Sequence, residues 1–305
     1  MQHLYNLYPD AVNKAAENEN YPIHSTILGI RHGHSDPEVS VKVGRFLLER
    51  DANFKLMKKY DWSLLKYTCW YGFNDSNLAF GLQMIEAIYD AYPEAIEDYD
   101  IESSLSDFHQ SVQTFINTQL RYARQARNHR QMTSASRKGQ LPLHRVLQKN
   151  VRLGAIKLMV NGNPSAIRHA DNKGAIPLHL ACQYHDSPRV IQYLLSLDAT
   201  TLDVVDRDGN TLLHYACLGA KYDTITMLLD NYSCKWVSKK NLRMKLPIDL
   251  LWESKVAGDR ESVKYTNIVF RLLKENANVI SNIGESANCQ SNQQKRKKRK
   301  LNVGM

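Results

Sequence analysis

The amino-acid sequence contains one motif four times at a constant interval, and this repeat limits the possible folds more than any other feature. The copies read KGQLPLHRVL, KGAIPLHLAC, DGNTLLHYAC and RMKLPIDLLW, and they start at Lys138, Lys173, Asp208 and Arg243, 35 residues apart. A second apolar run follows each of the first three copies: AIKLMV, VIQYLL and TITMLL. Self-similarity with a period of roughly 20 to 50 residues indicates an array of small supersecondary units.

Each copy predicts a turn and a short helix, and the later apolar run predicts a second helix. The turn sequences DNKG and DRDG contain residues that tolerate a positive φ. Pro142, Pro177 and Pro247 stand at the first helical position, where a missing N–H costs nothing. Because one helix pair cannot bury its apolar face alone, neighbouring pairs must stack into a continuous core. The sequence therefore predicts an all-α solenoid.

The repeated pattern resembles the ankyrin repeats, whose signature is a glycine turn followed by Thr-Pro-Leu-His. The resemblance is strongest from 138 to 252. Of the family threonines only Thr211 is present, and Asp249 replaces the last histidine. In the family this threonine and histidine form a structural hydrogen bond, so the resemblance implies weaker individual repeats but the same fold. It also implies a noncatalytic protein–protein interaction module or scaffold with a concave groove.

The N-terminal half carries weaker copies, YPIHSTIL and WSLLKYTC, separated by insertions. LYNLYPDAV and IYDAYPEAI are two copies of one further element, the end of a second helix, so we expect residues 1–20 to fray or to be covered. A long helix at roughly 105–130 interrupts the array. The predicted organisation is divergent ankyrin repeats over 1–100, an inserted basic helix and linker over 101–137, ankyrin repeats with period 35 over 138–275, and a disordered basic tail over 276–305.

The net charge of +9 is concentrated near the C-terminus. Six of the positive charges stand in one run: Lys295, Arg296, Lys297, Lys298, Arg299 and Lys300. A short basic run after a polar segment resembles a nuclear-localisation signal, which implies an import receptor as a partner and a nuclear or nucleocytoplasmic location. The alternative is a solubilising or phosphate-binding tail.

Composition excludes several other classes of protein. The chain is 43% hydrophobic and 23% charged with a mean hydropathy of −0.46, which is typical of a soluble folded protein. It has no apolar run long enough to span a membrane, and its first residues lack the pattern of a secretory signal, so we expect no membrane partner. Five scattered cysteines fit a reducing, intracellular compartment.

The repeated histidines His144, His179 and His214 suggest metal binding or catalysis, but their periodicity argues against both. Metal ligands converge on one point, whereas residues that recur once per stacked unit form a line. We therefore expect them to form hydrogen bonds at helix starts. His32 and His34 flank Gly33 with no cysteine or carboxylate cluster at metal spacing nearby, so no metal is expected there.

Cys69, Cys182 and Cys217 share one repeat position among apolar neighbours, where a thiol is expected to be buried and inert. The sequence contains no nucleophile motif, phosphate-binding loop or dinucleotide fingerprint. We expect neither enzyme activity nor a cofactor.

The remaining functional candidate is the predicted groove surface. Across the turn tips and the helix position that follows each histidine, seven positive charges face one negative charge, Asp208. This basic strip, with Leu180 and Tyr215 at its centre, predicts an acidic protein partner that carries an apolar anchor. The plainer alternative is that charged tips keep the groove soluble. The predicted partner-binding residues are Arg137, Lys138, Arg145, Lys173, Leu180, Arg207, Tyr215, Arg243 and Lys245.

A second hypothesis is a nuclear protein that binds nucleic acid through its basic helix and tail. Arg121, Arg124, Arg127 and Arg130 recur every three residues along the inserted helix. Such a ridge could neutralise phosphates. Aromatic residues are not interleaved with the basic run, which weakens this hypothesis.

Overall fold

The computed structural model describes residues 6, 9–16, 19–33, 36–50, 62–71, 73, 75–232, 236–254 and 262–277. Each regular element in these ranges is an α-helix or a short 3-10 helix, which confirms the all-α class. No helix within them is long and apolar enough to cross a membrane. The α-helices are α1 (Pro22–His32), α2 (Pro37–Arg50), α3 (Leu64–Trp70), α4 (Leu78–Ala91), α5 (Tyr99–Ser103), α6 (Gln110–Arg127), α7 (His129–Thr133), α8 (Pro142–Leu147), α9 (Leu153–Gly162), α10 (Pro177–Tyr184), α11 (Pro188–Leu197), α12 (Leu212–Leu218), α13 (Tyr222–Asn231), α14 (Pro247–Glu253) and α15 (263–277).

The chain divides into two compact units. The N-terminal unit comprises 1–133 and 152–164, and the repeat unit comprises 134–151 and 165–305.

In the N-terminal unit, α1 packs on α2, while α2 and α3 pack on α4. The helix α9 also belongs to this unit, where it contacts α4 and α6. The core of the unit is apolar and includes Ile27, Leu65, Ile85, Ile116 and Leu158. These contacts bury the apolar stripe of each amphipathic helix, which is the main source of helix stability in proteins.

Polar contacts hold the start of α9 against the end of α4. The Asp90 carboxylate accepts a hydrogen bond from the backbone N–H of Gly154 at 2.9 Å, and its other oxygen accepts one from the Arg152 guanidinium at 3.1 Å. The Lys157 ammonium donates to the backbone carbonyl of Asp90 at 2.6 Å. The Asp90 carboxylate lies at the start of α9, and the Lys157 ammonium lies at the end of α4. Each charge interacts favourably with the dipole of the helix terminus that it contacts.

The inserted helix is shorter than the sequence predicts. It runs over Gln110–Arg127, with a 3-10 turn at Leu105–Asp107 before it and the separate helix α7 after it. His109 caps the N-terminus of this helix, since its ring accepts a hydrogen bond from the backbone N–H of Ser111 at 3.2 Å. The apolar side chains Val112, Ile116 and Leu120 of this helix are buried.

In the repeat unit, the first helices of successive repeats stack on one another, α8 on α10, α10 on α12 and α12 on α14. The second helices α11 and α13 also contact each other. Leu143, Leu178 and Leu213 occupy the same position in their repeats, and all three are fully buried. The stacking therefore produces the continuous core that the repeat predicts.

Candidate partner-binding surface

A polar side chain closes the turn tip of each repeat. The Ser136 hydroxyl accepts hydrogen bonds from the backbone N–H groups of Lys138 and Gln140 at 3.3 and 3.2 Å. Asp171 does the same for Lys173 and Ala175 at 2.8 and 3.0 Å. Asp206 and Asn241 make the equivalent bonds in the next two tips. Side chains of this kind fix turns by satisfying the backbone locally.

The sequence motifs DNKG and DRDG include Asp171 and Asp206, but the equivalent roles of Ser136 and Asn241 are not predicted from them. All four lie two positions before a repeat start, so a search for a polar column at the 35-residue period finds them.

Backbone hydrogen bonds link each tip to the preceding one. The N–H of Asn172 donates to the carbonyl of Lys138 at 2.9 Å, and that of Arg207 donates to Lys173 at 2.9 Å. Leu242 continues the series with a bond to Asp208 at 2.8 Å. The tips therefore form one continuous row in which side chains at equivalent positions stand next to each other.

The basic character of this row is strongest at its first tip. A shallow depression of about 630 Å³ is lined there by Ser136, Arg137, Lys138, Gln140, Arg145, Gln148 and Lys149. Within the part of the chain that the structure describes, its four basic side chains form no ion pair, and neither does Lys173 in the next tip. Lys149 was not among the predicted residues.

The predicted basic residues at the other end of the row are neutralised. Arg243 pairs with Asp208 at 3.3 Å, and Lys245 pairs with Glu253 at 2.5 Å. Arg207, in the third tip, donates to the backbone carbonyl of Asn172 at 2.7 Å and forms no ion pair with the described residues. The predicted strip is therefore not uniformly basic, since its uncompensated charge lies on the first three tips and is densest at the first.

Leu180 and Tyr215 are buried, with 5% and 8% of their surface exposed. The Tyr215 ring packs edge-on against the ring of His179 at 4.8 Å, and its hydroxyl donates to the Asp206 carboxylate at 2.9 Å. Burial, together with that carboxylate, raises the pKa of Tyr215. The two apolar side chains that were expected at the centre of the strip are therefore largely buried, and little of their surface is open to a partner.

In two of the three repeats, the buried histidine accepts a backbone hydrogen bond at the start of the first helix. The Nδ1 atom of His179 accepts a hydrogen bond from the N–H of Ile176 at 3.3 Å, and that of His214 accepts one from Thr211 at 3.2 Å. Asp249 replaces the histidine with a carboxylate that accepts from Leu246 at 2.7 Å. His144 is equally buried, but neither ring nitrogen has a hydrogen-bond partner among the described residues.

The cysteines Cys69, Cys182 and Cys217 are free and buried, and burial raises the pKa of each thiol. No group of three or more metal-ligating side chains occurs among the residues that the structure describes. His32 is exposed, while His34 lies outside the described residues.

The arginine ridge of the inserted helix is partly neutralised within its own unit. Arg124 pairs with Glu102 at 2.5 Å, and Arg127 pairs with Glu97 at 2.8 Å. Arg121 and Arg130 are the members that form no ion pair in the described ranges. The basic run Lys295–Lys300 lies outside the described residues.

Comparison with known families agrees with the helix pairs and tips of the repeat unit. A family model described as ankyrin repeats, in three copies, matches residues 143–240. No curated protein matches the chain. Ankyrin-repeat domains are typically noncatalytic modules for protein–protein interaction. Residues 143–240 therefore match ankyrin repeats, and the regular elements of the described residues are all helical.

Proposed function

We propose that this protein is a noncatalytic interaction module that binds an acidic surface of a protein partner at the first tip of its repeat unit. The observation that carries the proposal is the depression lined by Arg137, Lys138, Arg145 and Lys149, which no acidic side chain of the described residues neutralises. Positive charge that is not consumed by internal ion pairs attracts carboxylates, accelerates encounter and selects against basic partners.

The distribution of ion pairs distinguishes this surface from the other basic candidates. Arg243 and Lys245 already have carboxylate partners, so binding at the last tip would first have to break those contacts. The same holds for Arg124 and Arg127 on the inserted helix, which reduces the support for phosphate binding there. The first tip offers uncompensated charge together with polar groups from Ser136, Gln140 and Gln148, which can donate hydrogen bonds.

The test compares charge reversals in the full-length protein. Arg145→Glu with Lys149→Glu should weaken binding of a labelled oligoglutamate peptide by about tenfold or more, since each reversal replaces attraction with repulsion. Lys239→Glu with Lys240→Glu is the matched control, because these exposed residues change the net charge equally but lie outside the depression. Equal loss in both variants, or no loss in the first, contradicts the proposal. Circular dichroism checks that both variants fold.

The same titration addresses nucleic acid. A labelled DNA duplex that bound more tightly than the peptide, with a steep dependence on salt, would favour the second hypothesis.

We also propose that the run Lys295–Lys300 directs the protein to the nucleus. The support is its sequence pattern alone. Residues 290–305 fused to an inert cytoplasmic reporter should concentrate it in nuclei, and Lys297→Ala with Lys298→Ala should abolish this. An evenly distributed reporter contradicts the proposal.

A further inference from the structure

The last described tip carries apolar residues at two positions, 242 and 244, where the earlier tips carry polar residues or glycine. Leu242 and Met244 are 75% and 68% exposed. The residues equivalent to Leu242 in the two preceding tips are Asn172 and Arg207, and the position of Met244 is a glycine in all three. The last tip therefore presents two bulky apolar side chains where the others present polar atoms or none.

Met244 adopts a backbone conformation that disfavours its side chain. Its φ is +59°, in the left-handed region that the glycines of the other tips occupy at +73° to +78°. A residue with a Cβ is strained in this region, and glycine avoids the strain. Since the Met244 side chain is mostly exposed, burial within the fold does not compensate for the strain. Strained residues of this kind are often retained for function.

The tip that carries these side chains is held in place. The N–H of Leu242 donates to the carbonyl of Asp208 at 2.8 Å, and Asn241 accepts from the N–H groups of Arg243 and Lys245 at 2.9 and 3.0 Å. An ordered tip loses little conformational entropy when it binds, which favours recognition.

The two charged residues next to these apolar side chains are ion-paired. Arg243 and Lys245 are paired with Asp208 and Glu253, so the apolar side chains stand between neutralised ion pairs. The first tip carries uncompensated positive charge instead. The two ends of the row therefore offer different chemistry, an acid-binding end and an apolar end.

We propose that Leu242 and Met244 form an apolar contact for the same partner, which is an acidic segment that carries a bulky apolar side chain. This inference rests on the proposed function, because the basic first tip supplies the charge complementarity that identifies the partner as acidic. Stacked helices lie roughly 8–10 Å apart, so three repeat intervals span roughly 24–30 Å. An extended chain covers that distance in roughly eight residues.

The test uses three labelled peptides and the full-length protein. One peptide is acidic only, the second carries two leucines roughly eight residues beyond the acidic run, and the third carries serines in their place. The leucine peptide should bind about tenfold more tightly than the serine peptide, since burial of apolar surface contributes on this scale.

The decisive variant is Leu242→Asn with Met244→Gly, which gives the last tip the residues that the second tip has at these positions, Asn172 and Gly174. It should remove the tenfold gain and leave the affinity for the acidic peptide unchanged. It should also raise the urea midpoint of unfolding, because glycine relieves the backbone strain at position 244. Lost affinity for the leucine peptide together with increased stability is not expected of residues with only a structural role. Arg145→Glu with Lys149→Glu should lower the affinity for all three peptides.

The outcomes separate the two proposals. If the acidic peptide does not bind the natural protein, the proposed function fails. If it binds but the leucines add nothing, or the Leu242 and Met244 variant retains the gain, the apolar contact is wrong. Self-association of the natural protein that the variant abolishes in sedimentation would assign these side chains to a second copy of the chain, and would likewise overturn the inference.

Discussion

At the scale of single residues, the buried histidines link stability to pH. Burial lowers the pKa of His179 and His185 to about 4, from an ordinary value of 6.5. Between these values the unfolded chain binds more protons than the folded chain, so stability should be complete above about pH 6.5 and fall as the pH drops toward 4. The upper limit of the slope is about 1.4 kcal/mol per pH unit for each histidine.

Urea unfolding at a series of pH values measures this slope. His185→Gln should reduce it, because it removes one of the buried histidines whose pKa is lowered. A free energy of unfolding that stays constant from neutral pH to pH 5 would show that these histidines are not held neutral.

Two buried threonines in the repeat unit differ in whether their hydroxyl group forms a hydrogen bond. The Thr211 hydroxyl lies 2.9 Å from the Nδ1 atom of His214 at a helix start, whereas the Thr224 hydroxyl has no hydrogen-bond partner among the described residues. Thr211→Val should therefore lower the free energy of unfolding by about 1 kcal/mol, while Thr224→Val should be neutral or stabilising. Chemical denaturation of both variants checks the difference, and similar losses would refute the assigned roles.

At the scale of elements, glycines with a positive φ are subject to two separate constraints, the backbone conformation and the space available for a side chain. Gly174 has a φ of +78°, and a Cβ there would lie 2.9 Å from the backbone nitrogen of Arg207 in the next tip. Gly33 has a φ of +66°, but a Cβ there would meet no atom within 4 Å in the part of the chain that the structure describes. Gly33→Ala should therefore cost about 1 kcal/mol for the backbone conformation alone. Gly174→Ala should cost about 2 kcal/mol or more, because a backbone clash adds to the strain.

Thermal and urea denaturation of the two alanine variants give this comparison. If both lose the same stability, the close approach of neighbouring tips is not tight.

The sequence predicts the stacked elements well because the period is regular. Leu143, Leu178 and Leu213 recur at one position, and that alone places them in the core. It does not predict the burial of Tyr215, whose ring packs against His179 of the preceding repeat. Nor does it predict the pair of Arg243 with Asp208, because residues 35 apart meet only after the tips have stacked.

At the scale of the whole molecule, the compact units differ from the boundaries of the sequence motif. The regular repeats are predicted to begin at 138, yet residues 152–164 belong to the N-terminal unit. The cause is a set of contacts between residues that are distant along the chain, which a local sequence pattern does not reveal. Asp90 caps α9 from a distance of more than sixty residues along the chain, and α6 packs along the same helix. The predicted domain organisation as a whole stays a prediction.

The membership of α9 in the N-terminal unit predicts how a truncated protein behaves. A fragment of residues 138–277 keeps α9 but lacks α4 and α6, so the buried Leu158 loses the N-terminal core in which it packs, and the first turn of α9 loses Asp90. Hydrogen exchange of the α9 amides should be faster in this fragment than in the full-length protein, because local opening is governed by buried contacts. The amides of α12, whose neighbours α10 and α14 remain, should exchange slowly in both and show that the fragment is folded. Slow exchange in α9 of the folded fragment would mean that the repeat unit alone holds this helix, and that the division at 152–164 is wrong.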